Sequence, residues 1–200
     1  MNLQLEGFHA IVANAETEAG GAVARALAGE GARLSLDGSA EAAAAADRRS
    51  PVGAAVFVLP PLPEGGFASL EAEVVRQALQ QVDAVAGLFK ALAPAMQARG
   101  FGRFLFVGPV EAKAMTARSA DLDRTVGLAV LGLMKAMSGE LGPHGVTCNA
   151  ILWDSGRTGA ERSRILTATG AMTAYLASPL SGFLTGLVVG VDDARQGGVF

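Results

Sequence analysis

The amino-acid sequence predicts an α/β protein, in which a doubly wound parallel sheet of about six strands is covered by helices on both faces. Short apolar runs alternate with longer segments of helical composition along the chain. The runs are apolar at nearly every position, which is typical of parallel strands buried on both faces. Residues 102–154 show the pattern best, because strand, helix and strand follow one another there as in the crossover that joins parallel strands.

Six apolar runs are predicted as strands, namely Leu5–Ala13, Arg33–Leu36, Ala54–Leu59, Phe104–Val107, Val146–Leu152 and Leu184–Val191. Helices are predicted over Ala19–Glu30, Ser39–Arg48, Ser69–Arg99, Leu122–Leu141 and Ala171–Ala177. Ser39 and Ser69 are the expected N-caps of the second and third helices. Pro94 is expected to kink or interrupt the third helix, because proline has no backbone N–H. The polar segment Ser155–Gly170 is predicted to connect the fifth strand to the last helix.

The composition is unusually apolar for a chain of 200 residues, with 50% hydrophobic and 18% charged residues. This length fits one domain and no linker divides the chain, so a single domain over residues 1–200 is expected. The apolar excess indicates that both faces of the sheet are covered, that some surface is buried against a partner, or both.

Charge and residue usage disfavour several classes of function. The net charge is −3 without a basic run, so nucleic acid is not an expected partner. We recognise no signal peptide and no apolar run long enough to span a membrane, and the single Cys148 fits a reducing compartment. A cytoplasmic location is therefore expected. His9, His144 and Cys148 share no ligand spacing, and no metal site is expected.

Three segments, taken in order, carry a resemblance to a known family. They are LEGFHAIVANAETEAGGAVARALAGEGARLSLDGS (Leu5–Ser39), LMKAMSGELGPHGVTCNAI (Leu133–Ile151) and YLASPLSGFLTGLVVGVDD (Tyr175–Asp193). They resemble the first strands, the end of the catalytic helix and the C-terminal segment of the short-chain dehydrogenase/reductase (SDR) family. The resemblance implies a Rossmann-like fold with a shortened edge and substrate lid, in which an edge strand and a helix are deleted. The alternative is that Ala54–Leu59 is itself the edge strand.

The dinucleotide-binding turn of the family is degenerate in this sequence. Its pattern Thr-Gly-x-x-x-Gly-x-Gly falls on residues 13–20, where Asn14 and Glu18 replace glycines and the last glycine, Gly20, remains. A carboxylate at Glu18 opposes a pyrophosphate, which needs a bare backbone at the helix N-terminus. Asp37 falls where the family holds the adenosine ribose, although a turn residue at a strand end explains it equally well. No cofactor is expected, and Glu18 is interpreted as an internal partner of the helix dipole.

The catalytic positions are degenerate as well. The resemblance places the family's helix-borne Asn near Gln81, its Ser at Pro109, its Tyr at Asp123 and its Lys at Gly127. In the family the Tyr is the general acid–base, the Lys lowers its pKa, and the Ser polarises the substrate carbonyl. An aspartate paired with a glycine reproduces neither role, so no catalytic residue is expected.

The segments that form subunit interfaces in the family are retained. They correspond to the helices over residues 69–99 and 122–141 and to the apolar C-terminal segment. The second helix carries small residues that permit close helix approach, namely Gly127, Ala129, Gly132 and Ala136. Retained interfaces beside a degenerate site imply an inactive subunit rather than an ordinary dehydrogenase.

The function implied by the resemblance is that of a pseudoenzyme subunit. It pairs with an active SDR paralogue in a heterotetramer and stabilises or shapes it; a hydroxyacyl-CoA dehydrogenase of anaerobic aromatic degradation is one candidate complex. Two alternatives stay open. One is a divergent NAD(P)-dependent oxidoreductase whose non-standard site uses Asp123, Arg124 or Arg118, and the other is a homo-oligomeric binding or regulatory module.

Overall fold

One parallel sheet of six strands forms the centre of the molecule. The computed structural model describes residues 2–63, 70–110 and 122–192. The strands are β1 (His9–Ala13), β2 (Arg33–Ser35), β3 (Ala54–Val58), β4 (Gly102–Pro109), β5 (Val146–Trp153) and β6 (Val188–Val191). Their order is β2-β1-β3-β4-β5-β6, and all neighbouring pairs are parallel. The predicted doubly wound sheet is confirmed.

The α-helices of the described part of the chain cover the sheet in two layers. They are α1 (Glu18–Gly29), α2 (Ala40–Arg49), α3 (Ala72–Arg99), α4 (Leu122–Leu141) and α5 (Gly159–Ala177). Helices α2, α3 and α4 pack on one face of the sheet, around Phe57, Phe104 and Phe106. Helices α1 and α5 cover the other face, around Val56 and Leu105. Within the described ranges, no helix is long and apolar enough to cross a membrane.

Strands β4 and β5 lie at the centre of the core. All of their residues are buried, because helices cover both faces of the sheet at this point. Helix α4 joins them as the predicted crossover, with the predicted bounds Leu122–Leu141. Since the strands are parallel, the carboxyl ends of β1, β3, β4 and β5 meet at one edge, where ligands bind in folds of this kind.

The strand over residues 54–58 lies inside the sheet, between β1 and β4. The alternative in which it forms the sheet's edge is therefore wrong. The three-residue strand β2 is the outermost on this side, within the part of the chain that the structure describes. This arrangement agrees with the expected deletion of an edge strand.

The predicted connection Ser155–Gly170 is wrong over most of its length, because α5 begins at Gly159 and runs unbroken to Ala177. The segment is polar in sequence, yet several of its hydroxyls are satisfied within the helix. Thr167 Oγ1 donates to Ser163 O at 2.9 Å, and Oγ1 of the buried Thr169 donates to Ile165 O at 2.8 Å. Such bonds to the preceding turn allow buried threonines in a helix interior. Only residues 154–158 therefore separate β5 from α5, and the shortened lid is confirmed.

Other element bounds differ by a few residues. Strand β1 begins at His9 rather than Leu5, because Gly7 turns the chain with φ 69° just before it. Strand β6 begins at Val188 rather than Leu184. Pro94 does not interrupt α3, which continues through it over 28 residues. The expected N-cap Ser69 lies outside the described residues.

Helices α1 and α5 approach each other closely at a glycine. A Cβ added at Gly170 would stand 2.8 Å from Ala22 O and 2.9 Å from the Cβ of Ala26. No side chain fits at this crossing without displacing one helix. The contact therefore fixes α5 directly over α1. It also positions the first part of α5, from Gly159 to Gly170.

A buried guanidinium fixes the end of α5 to the sheet. Arg103 on β4 is 2% exposed. It donates to Gly102 O at 2.9 Å, to Ser178 O at 3.2 Å and to Gly145 O at 3.3 Å. Its guanidinium carbon lies 4.2 Å from the centre of the Phe101 ring. Burial lowers the pKa of Arg103 to about 10, because the charged form loses solvation.

The α1–α5 crossing predicts a large effect from one added methyl group. Gly170→Ala is expected to lower the free energy of unfolding by about 1–3 kcal/mol, the usual cost of overpacking a tight core contact. Gly29→Ala is the control, because an added Cβ there meets nothing within 4 Å. That variant is expected to lose no stability, since alanine favours a helix over glycine. Urea unfolding followed by circular dichroism measures both; equal stabilities would contradict the tight crossing.

Candidate functional site

Two clefts open at the carboxyl edge of the sheet. The first, named here the proline cleft, has a volume of about 330 Å³. Its walls combine apolar side chains with the charged residues Glu18, Asp123 and Arg162. The lining residues are Thr17, Glu18, Ala19, Leu59, Pro60, Pro61, Leu62, Pro109, Asp123, Trp153, Ser155 and Arg162.

The second cleft, named here the Asp37 groove, has a volume of about 410 Å³. It is more open and more polar, and it lies beside the ends of β1 and β2. Asn14, Glu16, Asp37 and Gln81 line it, together with the apolar side chain of Phe57. It therefore contains two of the positions that the resemblance assigns to the cofactor, Asn14 and Asp37.

The turn that follows β1 lies between the two clefts and is held by its own hydrogen bonds. Asn14 adopts φ 60°, and its Nδ2 donates to Val58 O at 2.7 Å, which ties the turn to β3. Thr17 Oγ1 donates to Asn14 O at 2.8 Å and accepts from Gly20 N at 3.0 Å, so that Thr17 is the N-cap of α1. A Cβ at Gly20 would collide with Asn14 O. The one retained glycine of the degenerate motif is thus required for packing.

Glu18 forms the closest ion pair at this edge. Its Oε2 accepts from Arg162 Nε at 2.7 Å and from Nη2 at 2.6 Å, which joins the first turn of α1 to the first turn of α5. The hydrogen bonds from Arg162, and then its positive charge, hold the pKa of Glu18 below its usual value. The carboxylate expected to oppose a pyrophosphate is therefore matched by a guanidinium of the same chain.

The guanidinium of Arg162 also holds the short loop after β5. Its Nη1 donates to Ser155 O at 2.6 Å and to Arg157 O at 3.2 Å. Its carbon lies 5.0 Å from the centre of the Trp153 ring, within the range of a cation–π contact. Trp153 is 8% exposed and packs in the core beside this loop.

The loop over residues 154–158 is further braced by a local ion pair. Asp154 Oδ2 accepts from Arg157 Nε at 2.6 Å, and Asp154 Oδ1 accepts from Gly156 N at 3.1 Å. Arg157 Nη1 also lies 3.5 Å from Glu161 Oε2, one helical turn further along the chain. This loop is short, and its charged side chains Asp154 and Arg157 are paired with each other.

Asp37 serves a local turn. Its Oδ1 accepts from Ser39 N at 2.9 Å, while Ser39 Oγ accepts from Ala42 N at 3.2 Å as the predicted N-cap of α2. The hydrogen bonds from the backbone N–H and the hydroxyl of Ser39 hold the pKa of Asp37 below its usual value. The side chain nevertheless borders the Asp37 groove, so both interpretations of this residue have a structural basis.

The structure brings together only some of the positions that the resemblance assigns to catalysis. Pro109, at the end of β4, and Asp123, in the first turn of α4, both border the proline cleft. Gly127 is buried one turn further along α4. Gln81, on α3, lies in the Asp37 groove instead.

The tyrosine and the lysine that could replace the family's catalytic pair, Tyr175 and Lys135, lie away from the proline cleft. Tyr175, the single tyrosine of the chain, is on α5 and packs on the opposite face of the sheet from α4. Lys135 Nζ donates to Gly186 O at 3.1 Å, near the start of β6. In the described ranges, no group of three His, Cys, Asp or Glu residues is placed to hold a metal ion.

Sequence reasoning missed Arg162, which lines the proline cleft and pairs there with Glu18. Its partner Glu18 lies 144 positions earlier in the chain. Arg162 falls in a polar segment that also contains Arg157 and Arg164, and no spacing distinguishes it from them. Arg162 becomes the partner of Glu18 only because α5 packs on α1.

The fold is that of the short-chain dehydrogenases/reductases. A protein described as an NAD(P) dependent gluconate 5-dehydrogenase from Beutenbergia cavernae, with NADP bound at low occupancy, superimposes with a TM-score of 0.83. The match covers 97% of this chain and 98% of that chain at 20% identity. A 3-oxoacyl (acyl-carrier-protein) reductase from Agrobacterium tumefaciens C58 with NADP bound gives a TM-score of 0.81, over 96% and 95% of the two chains, at 17% identity.

A third similar structure is an oxidoreductase of the same family from Burkholderia thailandensis. Its TM-score is 0.82 over 96% of this chain and 94% of that chain, at 17% identity. No protein-family model matches the sequence, and no curated protein matches it. At these identities the likeness shows the fold, and the chemistry has to be judged from the residues of this chain.

The Glu18–Arg162 pair predicts a stability difference that depends on pH. The pKa of Glu18 is lower in the folded chain than its ordinary value of 4.5, so the pair stabilises the fold above that value. The contribution is lost as pH falls through the folded-state pKa. The melting temperature of the wild type is expected to exceed that of Glu18→Gln at about pH 6, and the difference is expected to shrink as pH falls below 4.5. Because the Glu18 side chain is 53% exposed, the difference is small and salt reduces it; a constant difference would contradict the assignment.

Proposed function

We propose that this chain is a catalytically inactive SDR-fold subunit that pairs with an active SDR dehydrogenase and stabilises or shapes it in a hetero-oligomer. The observation that carries the proposal is the Glu18–Arg162 pair, at the position that the resemblance assigns to the cofactor's pyrophosphate. The chain fills that position with its own charges. Two of the similar structures contain NADP, and at 17–20% identity they supply a comparison of fold rather than of activity.

Electrostatics disfavour a dinucleotide in this site. The Glu18 carboxylate alone would oppose a phosphate about 4 Å away by about 1 kcal/mol in water and by about 4 kcal/mol near a protein surface, and the adjacent Arg162 guanidinium offsets part of this repulsion. The partial exposure of Glu18 favours the lower part of that range. Insertion of the pyrophosphate also breaks the hydrogen bonds of Arg162 to the carboxylate. The turn at residues 14–17 lies between the two clefts.

Proton transfer lacks its usual groups. Asp123 borders the proline cleft, but the position one turn later is Gly127, which offers no cation to tune or replace a general acid. Pro109 offers no hydroxyl to polarise a carbonyl. These three positions support a subunit without the standard SDR reaction.

The exposed apolar surface supports a partner. In the described part of the chain, five large hydrophobic side chains are exposed, namely Leu36, Leu79, Leu128, Phe183 and Leu187. All except Leu36 lie on α3, on α4 or in the C-terminal segment, which are the parts that the resemblance assigns to subunit interfaces. Phe183 is 79% exposed, the largest exposed fraction of the five, so its burial against a partner would remove the most apolar surface from water.

The outer side of α4 supports close approach by another helix. Ala129, Gly132 and Ala136 are exposed, and a Cβ added at Gly132 meets nothing within 4 Å. Gly127, by contrast, is buried against the core and belongs to the opposite side of the helix. The expected stripe of small residues is therefore reduced to Ala129, Gly132 and Ala136.

A second candidate function is that of a divergent NAD(P)-dependent oxidoreductase. The position of Asp123 beside the proline cleft favours it, because a carboxylate at the edge of an apolar cleft can act as a base. Turnover by the isolated chain that is lost in Asp123→Asn would support this candidate over the pairing proposal.

Cofactor binding separates the two candidates. Isothermal titration calorimetry of the isolated chain with NAD(H) and NADP(H) is expected to give no saturable heat. The reason is that Arg162 is already paired with Glu18 at the position expected for the pyrophosphate. An active SDR protein titrated under the same conditions is the positive control. Micromolar affinity of the wild-type chain would overturn the proposal in favour of the divergent oxidoreductase.

The proposed interface predicts a selective effect of a surface substitution. The tagged chain, co-expressed with complete SDR paralogues of the same genome, is expected to retain one of them through affinity purification and gel filtration. Gly132→Lys is expected to abolish this retention, since a long charged side chain then separates the helices, and to leave the melting temperature unchanged. Gly29→Lys is the matched control, on the open side of α1. Retention of no paralogue, with self-association in its place, would favour the homo-oligomeric module.

A further inference from the structure

Arg162 joins three parts of the molecule through one guanidinium. Two of its nitrogens bind the Glu18 carboxylate on α1, and the third binds the carbonyl oxygens of Ser155 and Arg157. The plane also approaches the ring of Trp153 at the end of β5. All three nitrogens of the side chain are thus engaged, and the pair with Glu18 is named here the clasp.

We propose that Glu18 is a built-in anion, which holds Arg162 in place as a bound anionic ligand would and so fixes residues 154–162 against α1 without any ligand. The proposal goes beyond the pairing function, because it concerns the isolated chain and does not depend on a partner. The first turns of α1 and α5 are thus linked by two side chains of the protein, Glu18 and Arg162.

The bonds around the loop explain why the clasp matters locally. The Asp154–Arg157 pair spans three residues, so it braces the loop internally but cannot attach it to α1. The clasp, by contrast, joins residues from the two ends of the chain. The crossing at Gly170 lies about two turns further along α5 and holds the rest of the helix independently. Loss of the clasp therefore frees residues 154–162 and leaves the sheet and the middle of α5 intact.

Hydrogen exchange measured by mass spectrometry tests the clasp. Peptides covering residues 154–162 are expected to exchange about two- to fivefold faster in Glu18→Gln and in Arg162→Met, the range for a partly exposed ion pair. Peptides from β4 and β5 are expected to be unchanged, which shows that the variants fold. Glu16→Gln is the matched control, because Glu16 is an exposed glutamate of the same turn. Wild-type exchange in both clasp variants would overturn the proposal.

Added inorganic pyrophosphate tests whether the carboxylate acts as an anion in its own site. In Glu18→Gln, where Arg162 is left available, pyrophosphate at millimolar concentration is expected to restore slow exchange over residues 154–162. It is expected to have no effect in Arg162→Met or in the double variant, which lack the guanidinium, nor in the wild type, whose guanidinium is occupied. Failure to restore protection in Glu18→Gln, or equal protection in Arg162→Met, would refute the built-in anion. Neither outcome bears on whether the chain retains a paralogue.

Discussion

The close crossing of α1 and α5 is the contact on which the functional edge of the molecule depends. Because Gly170 has no side chain, α5 lies directly on Ala22 and Ala26 of α1. The start of α5 is thereby placed beside the start of α1, with a connection of residues 154–158 from β5. Arg162 reaches Glu18 as a result, although the two residues lie far apart in the sequence. The buried Arg103 supports the same arrangement from the other end of α5.

This arrangement leaves the carboxyl edge of the sheet with two separate clefts. The turn after β1 is tied to β3 by Asn14 and to α1 by Thr17, so it lies as a ridge between them. On one side the Asp37 groove remains open, and on the other the proline cleft ends at the Glu18–Arg162 pair. An SDR fold is thus retained, and at this edge the turn after β1 and the start of α5 are held by hydrogen bonds within the chain.

The core and the exposed apolar surface lie on different sides of the same helices. The core is supplied by uniformly buried strands such as β4 and β5 and by the inner sides of α3 and α4. The outer sides of the same helices carry exposed leucines and small residues, together with the exposed Phe183 of the C-terminal segment. Such surface is costly to leave in water, and a partner subunit is the occupant that we propose for it.

The sequence by itself determined the fold class and most elements, because strands buried on both faces must be apolar throughout. The bounds of α4 were also predicted correctly from local composition. The resemblance also predicts that Asn14, Glu18, Pro109 and Asp123 stand where the SDR pattern has other residue types, since a residue type can be compared without coordinates. Only the tertiary structure decided that residues 54–58 lie inside the sheet, that Gln81 belongs to the Asp37 groove, and that Ser155–Gly170 is largely helix. It alone selected Arg162 as the partner of Glu18. The physical reason is that strand order and helix crossings bring together residues from opposite ends of the chain. Such contacts cannot be predicted from the spacing of residues along a local segment.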